Sequence, residues 1–116
     1  MDKTETIGLE PRVIKLDMKA AGFQRILGGP PSTVSMKSGM VSLEPGETVG
    51  IHNTGNKEEL IIVMEGEGEM VFEGYDSVRL SRGKNAYCPP YTEHNIINTS
   101  DNTLRYIYVV SILGEQ

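Results

Sequence analysis

Cysteine is nearly absent from this 116-residue chain, where Cys88 stands alone. One thiol cannot build an internal disulfide framework, and such a composition fits a reducing compartment. No apolar run approaches the roughly 18 residues of a membrane-spanning helix. Clusters of Lys and Arg are missing too: eleven basic residues are scattered among sixteen acidic ones, giving a net charge of −5 and a pI near 5.0. That balance argues against a nucleic-acid partner and reads as solubility. The start, Met1-Asp-Lys-Thr-Glu-Thr6, has no apolar leader core, so a cytoplasmic location is expected. Histidine is equally scarce, with only His52 and His94. Because imidazole is the commonest protein metal ligand and a frequent acid–base group, chemistry of that kind has few places to reside.

What the chain does have is β-sheet text. Its length suits one domain, and 38% hydrophobic residues suffice for one core. Thirteen glycines fall mostly between short apolar runs and mark turns. Residues 1–10 are polar, 12–16 read as a short strand, and Ala20-Ala21 within 17–27 favours a turn of helix. Gly28-Gly-Pro-Pro31 ends whatever precedes it. Strands are then expected at 33–43, 48–52, 59–65, 69–73, 77–80, 85–88, 94–98 and 104–113. The run Leu60-Ile-Ile-Val-Met64 is rich in β-branched residues, and residues 69–73 are expected to fold back on it as a hairpin around Gly66-Glu67-Gly68. Short strands with turns at regular intervals predict an all-β sandwich or barrel, whose interior can hold one ligand.

His52 and Thr54, two apart on a strand, share a face. Glu59 opens the next strand and would return near His52 if the intervening turn closes a hairpin. His94 opens a later strand after a loop. Two histidines and a carboxylate converging at strand ends suit a divalent transition metal such as Mn, Fe, Ni or Zn, with positions left open for substrate. The alternative is a metal-free polar cluster with its rings hydrogen-bonded to Glu59 and to backbone. Glu58 would point to the opposite face. Met36, Met40, Met64 and Met70, together with Tyr87, Tyr106 and Tyr108, read as packing, and Cys88 as a small buried hydrophobe.

The spacing Gly46-x5-His52-x-Thr54-x4-Glu59-x6-Gly66 resembles the first cupin motif, G-x5-H-x-H-x(3,4)-E-x6-G. Gly83-x5-Pro89-x-Tyr91-x2-His94-x3-Asn98 resembles the second, G-x5-P-x-G-x2-H-x3-N. The resemblance implies a cupin-type double-stranded β-helix, a jelly-roll barrel of residues 32–116 preceded by an N-terminal arm with edge strands over 1–31. It places His52, Glu59 and His94 on three of the family's four metal-ligand positions. It also implies a homodimer, a small oxygen-rich ligand such as a carboxylate, keto or enol compound or sugar derivative, and a metal-dependent reaction if the chain is an enzyme: a dioxygenase, decarboxylase or isomerase. A metal-free or non-catalytic binding barrel is the other outcome. No general base is identifiable. Two positions depart from the pattern. Thr54 replaces the second motif histidine, and a neutral hydroxyl is a poor ligand for such metals. Tyr91 replaces a glycine that usually permits φ > 0. Tyr91 is thus either part of a rebuilt loop or an amphipathic contact at the mouth. Thr54 and Tyr91 are the substrate-binding candidates.

Overall fold

A computed structural model describes residues 9–114. Nine strands are formed among the described residues: β1 (Gly22–Gly28), β2 (Met36–Leu43), β3 (His52–Asn53), β4 (Lys57–Glu65), β5 (Glu67–Phe72), β6 (Tyr75–Ser81), β7 (Ala86–Cys88), β8 (Glu93–Ile97) and β9 (Leu104–Ile112). They make two antiparallel sheets, ordered β1-β2-β9-β4-β7 and β3-β8-β5-β6. No helix is long and apolar enough to cross a membrane.

Period-2 alternation builds the core between the sheets. On β4, Glu59, Ile61 and Val63 are buried while Leu60 is exposed. On β9, Leu104 and Tyr106 point inward, and Tyr106 pairs with Val63. The second sheet contributes Met70, Leu80 and Ile96. Glu59 and His94 occupy inward places in rows that are otherwise apolar, with exposures of 8% and 2%. Uncompensated polar groups are costly in such places, so these two residues mark where packing has yielded to something else.

Three sequence expectations are corrected. The hairpin around Gly66 does not form: β4 lies between β9 and β7, whereas β5 pairs with β6 and β8 in the other sheet. Gly66, at φ 84°, turns the chain a corner from sheet to sheet beneath Thr103 and Leu104. Residues 12–16 form no strand, and Val13 is 95% exposed. In place of a helical turn at Ala20-Ala21, a single hydrogen-bonded turn closes at residues 17–20, with the Ala20 amide donating to the Asp17 carbonyl at 3.2 Å. It leads into β1, which pairs with β2 and places residues 22–28 at the edge of the five-stranded sheet. An isolated dipeptide of good helix formers could not outweigh that ladder.

Gly66 gives a direct test of the corner. A β-carbon there would overlap the Thr103 carbonyl oxygen and come within 2.9 Å of the Leu104 α-carbon, at a backbone angle unfavourable to any side chain. Gly66→Ala should lower unfolding free energy by about 2–3 kcal/mol or more, measured as a reduced urea midpoint at unchanged slope.

Candidate metal centre

The site is assembled across the sandwich. β3 pairs with β8 so that His52 lies directly opposite His94, and the rings meet edge-on with centroids 4.1 Å apart. Glu59 comes from the facing sheet, where it pairs with Val110 and Cys88. The expected hairpin route for Glu59 is therefore replaced by a face-to-face one. One donor atom each from His52, Glu59 and His94 lies within 4.8 Å of the others. Glu58, its neighbour, points away and accepts a hydrogen bond from the Tyr87 hydroxyl at 2.8 Å.

Backbone carbonyls fix both imidazoles. Nδ1 of His94 lies 2.9 Å from the Thr92 carbonyl oxygen, and Nδ1 of His52 lies 2.9 Å from that of Gly50. A carbonyl only accepts, so Nδ1 carries the proton in each ring. A neutral ring held this way keeps a bare lone pair on Nε2, and that of His94 faces Glu59, the arrangement that orients ligating histidines. Nε2 of His94 is buried and lies 3.0 Å from a Glu59 carboxylate oxygen, yet it has no aligned hydrogen-bond partner. A lone pair facing a carboxylate is poorly satisfied by itself. A cation between the two satisfies both, so the residues present fit a divalent metal.

Electrostatics follow from Glu59. Burial pushes the His94 imidazole down, but the Glu59 carboxylate and the Thr92 carbonyl more than offset it and hold it above the ordinary value. Burial, reinforced by the Glu59 charge, pushes the Cys88 thiol up to about 11. Cys88 is fully buried and stays a neutral thiol, 3.5 Å from Nδ1 of His94. The Tyr106 and Tyr108 hydroxyls are likewise raised, by burial first and Glu59 second.

A cavity of about 350 Å³ opens beside the cluster and reaches His52, Thr54, Glu59 and His94. Tyr106 and Tyr108 line it, as do Phe23, Lys37 and Lys57. Sequence reading assigned the two tyrosines to packing and missed the other three. Their only sequence signal is register: Lys57 and Glu59 share a face of β4, and Tyr106 and Tyr108 share one of β9.

The two substrate-binding candidates stand differently. Thr54 borders the cavity, but its hydroxyl donates to the Pro89 carbonyl at 2.7 Å and accepts from the Thr92 amide at 3.0 Å. It clamps the loop that carries His94. Tyr91 is 70% exposed, lies outside the residues lining this cavity and adopts φ 52°. It is the non-glycine residue with positive φ among the described residues, as its place in the motif foreshadows. Asn98 is fully buried as a structural bracket, its amide donating to the carbonyls of Leu43 and Asn102.

The sequence matches the Cupin domain family over residues 39–110, more than half of the chain. The chain belongs to the cupin family. Solved structures agree on the fold. The cupin domain of Schizosaccharomyces pombe Cnp3 is 15% identical with a TM-score of 0.74, over 90% of this chain and 77% of that one. A cupin 2 conserved barrel domain protein from Salinispora arenicola is 22% identical with a TM-score of 0.71, over 88% and 89% of the two chains. A predicted oxalate decarboxylase from Thermotoga maritima is 19% identical with a TM-score of 0.64, over 86% and 100%. No curated protein matches the sequence. At these identities the likeness concerns the cupin fold.

Two predictions follow from the geometry. Tyr91→Gly removes an exposed side chain from a left-handed backbone position, and should raise unfolding free energy by about 0.5–1 kcal/mol in urea titrations. Protons should compete with metal at His94, whose pKa is raised. Affinity for added Zn(II) or Ni(II) should therefore fall as pH drops through that raised value, by about tenfold per unit. Stability of chelator-treated protein should run the opposite way. The His94 contribution is complete below the unfolded-state value of about 6.5 and is lost as pH rises through the folded one. Isothermal titration and thermal melts between pH 5.5 and 8.5 check both signs.

Proposed function

We propose that this cupin holds a divalent transition metal through His52, Glu59 and His94, and binds or transforms a small oxygen-rich molecule in the adjoining cavity. The observation that carries the reading is the convergence of three donor atoms within 4.8 Å, with both histidines turned by backbone carbonyls to offer Nε2. When bound, Mn, Fe, Ni or Zn supplies Lewis-acid polarisation of substrate oxygens, and Fe(II) adds reaction with O₂. The chain's own residues orient and shield. The Thr92 and Gly50 carbonyls fix the imidazole planes, the Thr54 clamp holds the His94 loop, and the surrounding core limits water. Three protein donors leave positions open for a ligand with two oxygens, such as a carboxylate, keto or enol compound, or sugar derivative. A decarboxylase, dioxygenase or isomerase activity fits that geometry, and the description of the Thermotoga maritima protein as a predicted oxalate decarboxylase supports the first. The two sheets would close as a double-stranded β-helix, in a cytoplasmic homodimer.

Thr54 favours a second reading, a non-catalytic binding barrel. Its hydroxyl is committed to Pro89 and Thr92, so the fourth donor of the family pattern is absent.

Elemental analysis of untagged protein decides between them. The metal reading expects near-stoichiometric transition metal, and a His94→Gln variant should lose at least about 100-fold in affinity, the upper end of what a lost outer-shell partner costs. Absence of metal after incubation with Mn, Fe, Ni and Zn would sink that reading. A ligand that raises the melting temperature of such metal-free protein would then support the binding barrel.

A further inference from the structure

The cavity wall carries a charge pattern that the metal site does not use. Lys57 precedes Glu59 by two residues on β4, and Lys37 pairs with Val110, which in turn pairs with Glu59. Both lysines therefore share the inward face of the five-stranded sheet with Glu59, and both line the cavity. At about 3.4 Å per residue and 4.8 Å between strands, their α-carbons lie roughly 7 and 10 Å from that of Glu59. Neither ammonium has a carboxylate within ion-pair distance among the described residues. In a protein of net charge −5, two unpaired cations facing one cavity form a local reversal of sign.

Over Gly39, two residues along β2 from Lys37, lies an aromatic slab that also borders the cavity. Phe23 and Tyr108 stack with centroids 6.2 Å apart and planes 13° from parallel. Gly39 makes room for them: a β-carbon there would come within 2.6 Å of Phe23 Cε2 and 2.9 Å of the Tyr108 hydroxyl. A side chain at that position would thus displace the ring pair. Phe23 is 53% exposed, so half of its surface remains available at the mouth.

We propose that the cavity selects planar organic anions of single-ring size. The acid group sits on Lys37 and Lys57, the flat body lies against Phe23 and Tyr108, and an oxygen at the far end faces His52, Glu59 and His94. This rests on the proposed metal reading and narrows its substrate class. With a divalent ion on Glu59 one net positive charge remains, and the two ammonium groups bring the cavity to three. Such a field attracts anions and discriminates against neutral isosteres.

The probes are 4-hydroxybenzoate and its neutral isostere 4-hydroxybenzamide, titrated calorimetrically into zinc-loaded and chelator-treated protein with zinc content measured in parallel. Zinc-loaded protein should bind the benzoate at least about tenfold more tightly than the amide, and rising salt should shrink the difference. Lys37→Met/Lys57→Met should abolish that preference while leaving zinc content unchanged. Phe23→Ala should weaken both probes alike. Equal affinities, no binding of either probe to any form, or a preference that survives the double lysine variant would overturn the proposal. If zinc fails to load but the lysine-dependent preference persists in the metal-free protein, anion selection stands and the metal reading falls.

Discussion

The contact between His94 and Glu59 joins the two sheets where the core would otherwise be greasy. Nε2 and the carboxylate oxygen stand 3.0 Å apart, with the imidazole fully buried and the carboxylate nearly so. Removing either partner would leave the other polar group buried without compensation, which is costly. The local architecture bears on keeping this pair oriented. Thr92 fixes the ring from behind, and Thr54 fixes Thr92. Cys88 packs against the ring from the strand next to Glu59. Thr92, Thr54 and Cys88 thus hold the pair in one orientation, which is what the proposed ligand role requires.

Thr54 shows how the loss of a donor is absorbed. A histidine at this position would project into the site, whereas threonine is short enough to turn back to the loop. Its hydroxyl both donates and accepts, meeting the Pro89 carbonyl and the Thr92 amide at once. The backbone does the same work beside it: the Thr54 amide reaches the Thr92 carbonyl, and the Tyr91 amide reaches that of Gly55. These bonds tie the two motif loops together and help hold Tyr91 in a conformation it would not choose alone. One coordination position is thereby exchanged for a stiffer frame around His94, which itself remains available as a donor.

The sequence made the ligand cluster legible because its members violate the surrounding pattern. Glu59 heads an apolar β-branched strand, and His94 sits at an inward place on β8 beside Ile96. Family spacing then selected Glu59 over Glu58, and the face each occupies agrees. Sheet membership was not legible. Around Gly66 a hairpin and a corner between sheets have the same local text; the difference lies in Thr103 and Leu104, some forty residues later, packing against that glycine. The cavity wall was hidden for a similar reason. Leu104 and Tyr106 follow the alternation of a core strand, and Tyr108 continues it, yet Tyr106 and Tyr108 border open space. Only cross-strand register, with Gly39 opposite Tyr108, reveals that a side chain is missing where the rings need room. Phe23 belongs to a segment whose edge strand has weak local signals, so its place at the mouth could come only from pairing with β2.

Glu59 also sets the protonation of everything near it. Its negative charge adds to burial in raising Cys88, Tyr106 and Tyr108. The thiol and both phenols consequently stay neutral across the physiological range and keep their protons for donation. A cation held by Glu59 would cancel that influence and leave burial as the remaining cause. Burial acts in the same direction, and it is the larger cause for all three groups. The Tyr106 and Tyr108 hydroxyls therefore face the cavity in their neutral form with or without a cation on Glu59, and Lys37 and Lys57 stand beside them. Occupancy changes the one thing the wall does not provide, a positive centre beside His52 and His94. The division of labour is physical. Under the proposed function, the wall would set which molecules enter and how they lie, and the His–Glu–His cluster what can be done to the end that reaches it.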